Sequence, residues 1–128
     1  MDIRHIEIPP ITLDWSEWHA WHKFELDARS DLEGITLPDS SGVYEAKLID
    51  TDERLTIGKA SNLRMRVKQG LVKGKVPHSS GDDIREKEDT SRIVIRWAVT
   101  DRPAAVEEEL HKRHKGLFGK LPKYTDRT

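Results

Sequence analysis

Residues able to do chemistry gather in two stretches of this 128-residue chain. From Lys59 to Lys75 run six basic side chains (Lys59, Arg64, Arg66, Lys68, Lys73, Lys75) with no acidic one. From Lys112 to Arg127 there are six more, opposed only by Asp126. The first 58 residues are the reverse, with 13 Asp/Glu against 5 Lys/Arg, so a formal net charge of −1 conceals a strong asymmetry. Basic stretches of this density suit a surface that faces phosphates; the plain alternative is two solvated faces. Two side chains in this half stand at the borders of apolar stripes. Arg66 flanks Leu63, Val67 and Leu71, so its stem can pack while its guanidinium reaches a cleft. Glu107 lies at the edge of a Val106, Leu110 and Leu117 stripe, whereas Glu108 and Glu109 turn further toward solvent. Histidines add two candidates. Glu107, His111 and His114 share a helix face, a spacing that suits Zn²⁺ or another transition metal, or simply half-buried packing. His78, beside Ser79-Ser80-Gly81, is a candidate base or phosphate donor.

The elements that must position these groups can be read from periodicity. Arg4 to Ile8 reads as a short strand closed by Pro9-Pro10. Leu13 to Ala28 reads as a helix with Asp14 at its N-cap. Trp15, Trp18, His22 and Leu26 would share one face of that helix and Trp21, Phe24 and Ala28 a second. One face serves the core; the second serves the core too, or a partner chain in a homodimer. Val43 to Ile49 and Arg54 to Gly58 form a β-hairpin. Ser61 caps a helix running to about Gly70, and Lys73 to Asp83 is a loop rich in Gly, Ser and Pro. A short helix follows over Asp83 to Glu88. Ile93 to Val99 is the clearest strand, and the last helix runs from Pro103 to about Gly116. The order predicts an α+β domain: a small antiparallel three-stranded sheet flanked by helices, over residues 37–128, with an N-terminal helical extension over 1–36.

Within that order lies a more specific pattern. Gly42-Val43-Tyr44 is followed, after eleven residues, by Thr56-Ile57-Gly58 and then Lys59-Ala60-Ser61-Asn62-Leu63-Arg64-Met65-Arg66. Glu107, Leu110, Lys112-Arg113-His114-Lys115 and Pro122-Lys123-Tyr124-Thr125 follow downstream. Together, over about Leu37 to Thr125, these resemble the signature of the GIY-YIG nuclease superfamily, with the nearest echo in the nuclease domain of bacterial excision-repair endonuclease. The resemblance implies a metal-dependent endonuclease acting on DNA, with Tyr44, Lys59, Arg66, Glu107 and, by its place in the loop, His78 as catalytic groups. It implies Glu107 as ligand of one Mg²⁺ or Mn²⁺, Arg66 stabilising charge on phosphorus, and Tyr44 orienting or deprotonating the water. A phenol ionises near pH 10, so that last role needs positive charge nearby, which Lys59 and the metal would supply. Arg64, Lys68, Ser61 and Asn62 would contact substrate. Two positions depart from the pattern: Thr56 stands where the second motif carries Tyr, and Thr125 where the family closes with Asn.

Composition sets the outer limits. No apolar run is long enough to span a bilayer, so no membrane partner is expected, and a chain without cysteine fits a reducing, cytoplasmic setting. Two other readings stand beside the endonuclease. One is a catalytically weak DNA-binding module of the same fold; the other is an interaction protein that uses its Trp-rich N-terminal helix.

Overall fold

A computed structural model of the chain describes residues 10–26 and 35–125. The expected strand over Arg4 to Ile8 lies outside the described residues. The rest is an α+β fold around an antiparallel sheet of four strands in the order β1-β4-β2-β3. These strands are β1 (His19–Ala20), β2 (Gly42–Leu48), β3 (Arg54–Ala60) and β4 (Ile93–Val99). Helix α1 covers Trp21–Glu25, a π-helix Arg64–Val72, α2 Ser79–Lys87 and α3 Pro103–Phe118.

Side chains alternate across a strand, so the two faces of β2 build two cores. Tyr44 and Ala46 join Leu63, Val67, Leu71, Ile84, Trp21 and Phe24 in the larger one, beneath the π-helix, α1 and α2. Val43 joins Ala98, Val106 and Leu110 in the smaller one, beneath α3. Leu63, Val67 and Leu71 are all fully buried, as their spacing predicts. The helix that carries them is wider than an α-helix: the Lys73 N–H donates five residues back to the Lys68 carbonyl at 3.0 Å. The cap is Asn62 and not Ser61, since the Asn62 Oδ1 accepts the Met65 N–H at 3.1 Å.

The N-terminal segment departs most from expectation. Helix over Leu13 to Ala28 contracts to Trp21–Glu25, and His19–Ala20 becomes a fourth strand paired with β4, His19 opposite Ile95 and Ala20 opposite Val94. The three-stranded sheet is therefore four-stranded. The cause is the free edge of β4, whose backbone groups need partners. Ser16 supplies two: its N–H donates to the Trp97 carbonyl at 2.8 Å and its Oγ accepts the Trp97 N–H at 3.0 Å. A helix through Ser16 would forfeit both. Trp15 and Trp18 stack on cations of the same sheet face, Arg96 lying 4.2 Å from the Trp15 ring and 4.6 Å from the Trp18 ring. Trp21 and Phe24, for which the core and a partner chain were both open, are buried in the chain's own core.

Beneath these tryptophans lies Glu45, the one buried acidic group among the described residues. Glu45 is 4% exposed, and its Oε2 accepts from Arg96 Nε at 2.8 Å and Arg54 Nε at 3.1 Å. Removing one member of a buried ion network leaves the others uncompensated. Glu45→Ala should therefore cost about 3 kcal/mol in urea unfolding. A cost below about 1 kcal/mol, the value of a surface pair, would mean the network is not structural.

Candidate active site

Strand β3 is the edge of the sheet, and a cavity opens along its outer side. The C-terminal segment covers the first part of that edge, where the Lys123 and Tyr124 N–H groups donate to the Arg54 and Leu55 carbonyls. Beyond it, from Thr56 to Ala60, the edge borders a cavity of about 880 Å³. Tyr44, Lys59, Arg66, His78 and Glu107 all line it, although they come from five different parts of the fold. Ser61 and Asn62 line it as well.

Tyr44 reaches this edge by lying across its neighbour. It pairs in register with Gly58, and a Cβ at Gly58 would stand 2.3 Å from the Tyr44 hydroxyl and 2.5 Å from its Cζ. Only glycine leaves room for the ring. Gly42 answers to a similar demand on β2, where a Cβ would stand 2.3 Å from the Ala98 carbonyl oxygen and 2.7 Å from Leu63 Cδ1. Lys59, next to Gly58, falls on the opposite sheet face and enters the cavity from the side of α3 and Glu107.

The hydroxyl of Tyr44 meets His78. The Tyr44 oxygen and the His78 Nε2 are 2.7 Å apart. On the other side of the ring, His78 Nδ1 accepts the Gly81 N–H at 3.0 Å and so caps α2. A neutral imidazole has one donor and one acceptor nitrogen. With Nδ1 accepting, Nε2 carries the proton and donates it to the phenol oxygen. His78 thus has no lone pair left for substrate, which removes the base role expected for it and leaves a donor role toward Tyr44. Burial, then the charges of Arg66 and Arg85, pull its pKa down to about 4, so it stays neutral.

Burial lifts the Tyr44 phenol to about 12, against the pull of Arg66, which acts on it both as a charge and as a hydrogen-bond donor; Glu107 pushes the same way as burial. The cation beside the phenol is thus Arg66, where Lys59 was expected. Arg66 also donates from Nη1 to the Pro77 carbonyl at 3.2 Å, which anchors the guanidinium while other donors stay available. With His78 donating to the phenol oxygen, the phenol's own proton is directed away from the imidazole.

Searches against protein-family models, curated proteins and solved structures find no match to the chain.

Four other expected residues resolve less evenly. Arg64 is exposed and pairs with Asp39 at 3.1 Å, outside the cavity. Lys68 is buried, and its Nζ donates to the Leu26 carbonyl at 2.6 Å, so it ties the π-helix to the N-terminal segment. Asn62 lines the cavity but is occupied by its cap and by Asp39, to which its Nδ2 donates. Ser61 is exposed at the rim. The Glu107, His111 and His114 set does not form a metal site: among the described residues no group of three His, Asp or Glu side chains could hold an ion. His111 Nε2 donates to the Ile57 carbonyl at 2.9 Å and His114 Nδ1 to the Lys120 carbonyl at 2.7 Å, as half-buried packing requires. The two threonines that depart from the motif pattern lie together, their hydroxyls 3.5 Å apart in the cavity wall.

Two measurements check this geometry. Gly58→Ala should cost about 2 kcal/mol in urea unfolding by overpacking against the phenol, and well under 1 kcal/mol when combined with Tyr44→Ala. Equal costs in both backgrounds would place the ring elsewhere. The His78 imidazole charges near pH 4 when folded and near 6.5 when unfolded, so the unfolded chain takes up the proton first. Its contribution is complete above pH 6.5 and falls by about 3 kcal/mol as the pH drops to 4. His78→Gln should remove that part of the acid sensitivity; an unchanged profile would show that His78 is not held neutral.

Proposed function

We propose that this chain is a metal-dependent endonuclease that hydrolyses DNA phosphodiester bonds with a GIY-YIG-type site. The observation that carries the reading is convergence: Tyr44, Lys59, Arg66 and Glu107, singled out in sequence order, border one cavity from β2, β3, the π-helix and α3. A phenol, two cations and one carboxylate around a common space can serve in-line attack of water on a phosphodiester.

The donor set also fits the implied cation. Mg²⁺ keeps several waters and is commonly held by one or two carboxylates together with substrate phosphate, so a single half-buried Glu107 at the cavity wall suffices. A bound Mg²⁺ or Mn²⁺ would supply Lewis-acid stabilisation of the phosphoryl oxygens. Arg66 aims its remaining donors at the oxygens that gain charge, and Lys59 adds a second cation from the other sheet face. Tyr44 orients the attacking water and accepts its proton. Its phenolate is the form that the His78 donor and the Arg66 charge favour.

A second reading, DNA binding with little cleavage, draws on Thr56 and Thr125, whose small hydroxyls contact each other and leave the cavity with one fewer phenol than the motif usually brings. Incubation with plasmid DNA and Mg²⁺ or Mn²⁺ separates the two. With the Tyr44 pKa near 12, the cleavage rate should climb about tenfold per pH unit between about pH 7 and 9, because the ionised fraction does so. Tyr44→Phe should lower the rate and flatten the slope, and Arg66→Ala or Glu107→Ala should each cost about a hundredfold or more. Cleavage that survives both substitutions refutes the site, and retention of DNA without cleavage selects the second reading.

A further inference from the structure

A second cavity, of about 430 Å³, lies under the C-terminal half of α3. Ile57 lines both cavities, so the second is a neighbour of the first. Glu107 borders one and Arg113 and His114 border the other, about 10 Å further along the axis at 1.5 Å per residue. The second cavity's volume is within the range of small-molecule pockets.

The lining is that of a platform for a flat ring with polar edges. Leu110, Leu117 and Phe118 supply apolar surface, and the last two are 80% and 38% exposed, far more than packing alone requires. The Phe118 ring centroid is 4.6 Å from that of His114. His114 is 4% exposed, and with Nδ1 donating to the Lys120 carbonyl its Nε2 must be the acceptor nitrogen. That atom is buried and has no hydrogen-bond partner among the described residues. An acceptor left so calls for a donor. Arg113, whose side chain is 73% exposed and pairs with Glu109 at 3.3 Å, lines the cavity together with Arg54 and Asp52. Donors and acceptors thus border an apolar floor. A bare phosphate would meet the carboxylates Asp52 and Glu45 along with the arginines; a nucleobase, whose edge carries both N–H donors and carbonyl acceptors, matches the whole set.

We propose that this cavity is a subsite for one unpaired base of the bound strand, flanking the bond to be cut, with Phe118 as its stacking surface and Arg113 and His114 at its polar edge. The inference rests on the nucleic-acid reading of the neighbouring cavity and extends it to the class of substrate: DNA that presents a single-stranded flank. A base paired in a duplex has both faces stacked and its edge engaged, so it cannot enter.

Fluorescence anisotropy in EDTA, comparing a short oligothymidylate with a duplex of the same length, tests this directly. Phe118→Ala should weaken single-strand binding about fivefold or more, the usual worth of a base on an aromatic ring, while duplex binding moves less than about twofold. Arg113→Ala, at an exposed position that does not threaten folding, should act in the same direction. Hydrolysis of bis(para-nitrophenyl) phosphate, too small to reach the second cavity, should be unchanged in both variants. Equal losses on single strand and duplex, or no loss on either, would overturn the subsite. So would a Phe118→Ala protein that turns from dimer to monomer in sedimentation, since the face would then belong to a second copy. The two readings fail separately: selective loss of single-strand binding in a protein that hydrolyses nothing keeps the subsite and sinks the nuclease.

Discussion

The architecture of the site depends on the Tyr44 ring lying over Gly58. Strand alternation would otherwise confine Tyr44 to the core beneath the π-helix and α2, while Lys59 and Glu107 belong to the other face, with α3. At an edge strand the two faces meet, and the glycine lets the phenol arrive there. His78 then fixes the oxygen from the far side, and its own tautomer is fixed by the first turn of α2. Backbone, phenol and imidazole form one chain of hydrogen bonds, so a small shift of α2 would be felt at the Tyr44 hydroxyl.

The histidines show how the protein uses imidazole here. His78, His111 and His114 are all buried, and each commits one nitrogen to a backbone group. Each ring is thereby fixed in orientation. In the proposed reaction proton transfer then falls to Tyr44, in a field set by Arg66 and Glu107. A proton taken up by His78 would go to Nδ1 and release the Gly81 N–H, so acid reaches the first turn of α2 and this arrangement together.

Much of the frame was legible because packing and local pattern agree. Ile93–Val99 is apolar on both faces, as a strand between β1 and β2 must be, and its boundaries match the expected ones. Leu63, Val67 and Leu71 name their buried face whether the backbone is α or π. Pro103 opens α3 where a proline fits best. What stayed hidden depends on distant partners. Nothing near Ser16 announces that its N–H and hydroxyl will serve Trp97. Lys68 sits in the same basic run as Arg66, yet it turns inward to the Leu26 carbonyl. Gly81 and the serines before it look like loop, but Gly81 sits inside the first turn of α2, where a Cβ would stand 2.9 Å from the Leu71 carbonyl. Close packing chose that glycine, and the helix begins around it. The cavity residues were found by motif order, whereas the tautomer of His78 could be found only from its two neighbours.

The paired threonines bear on how the work would be divided. The chain has two tyrosines. Tyr124 also lines the cavity, but its hydroxyl donates to Glu88 and its backbone is tied to Leu55 and Ser80. That strap holds Thr125 against Thr56, so the two positions that depart from the motif are adapted to each other across the β3 edge. An alcohol hydroxyl is far too weak an acid to serve as an ionised base at neutral pH. With Tyr124 committed to a carboxylate and Thr56 unable to ionise, only one phenol in the cavity is free to exchange a proton with water. The donors gathered on the Tyr44 oxygen then follow from need: a lone phenol raised by burial to about 12 must have its anion stabilised by neighbours, and His78 and Arg66 are the neighbours that do so.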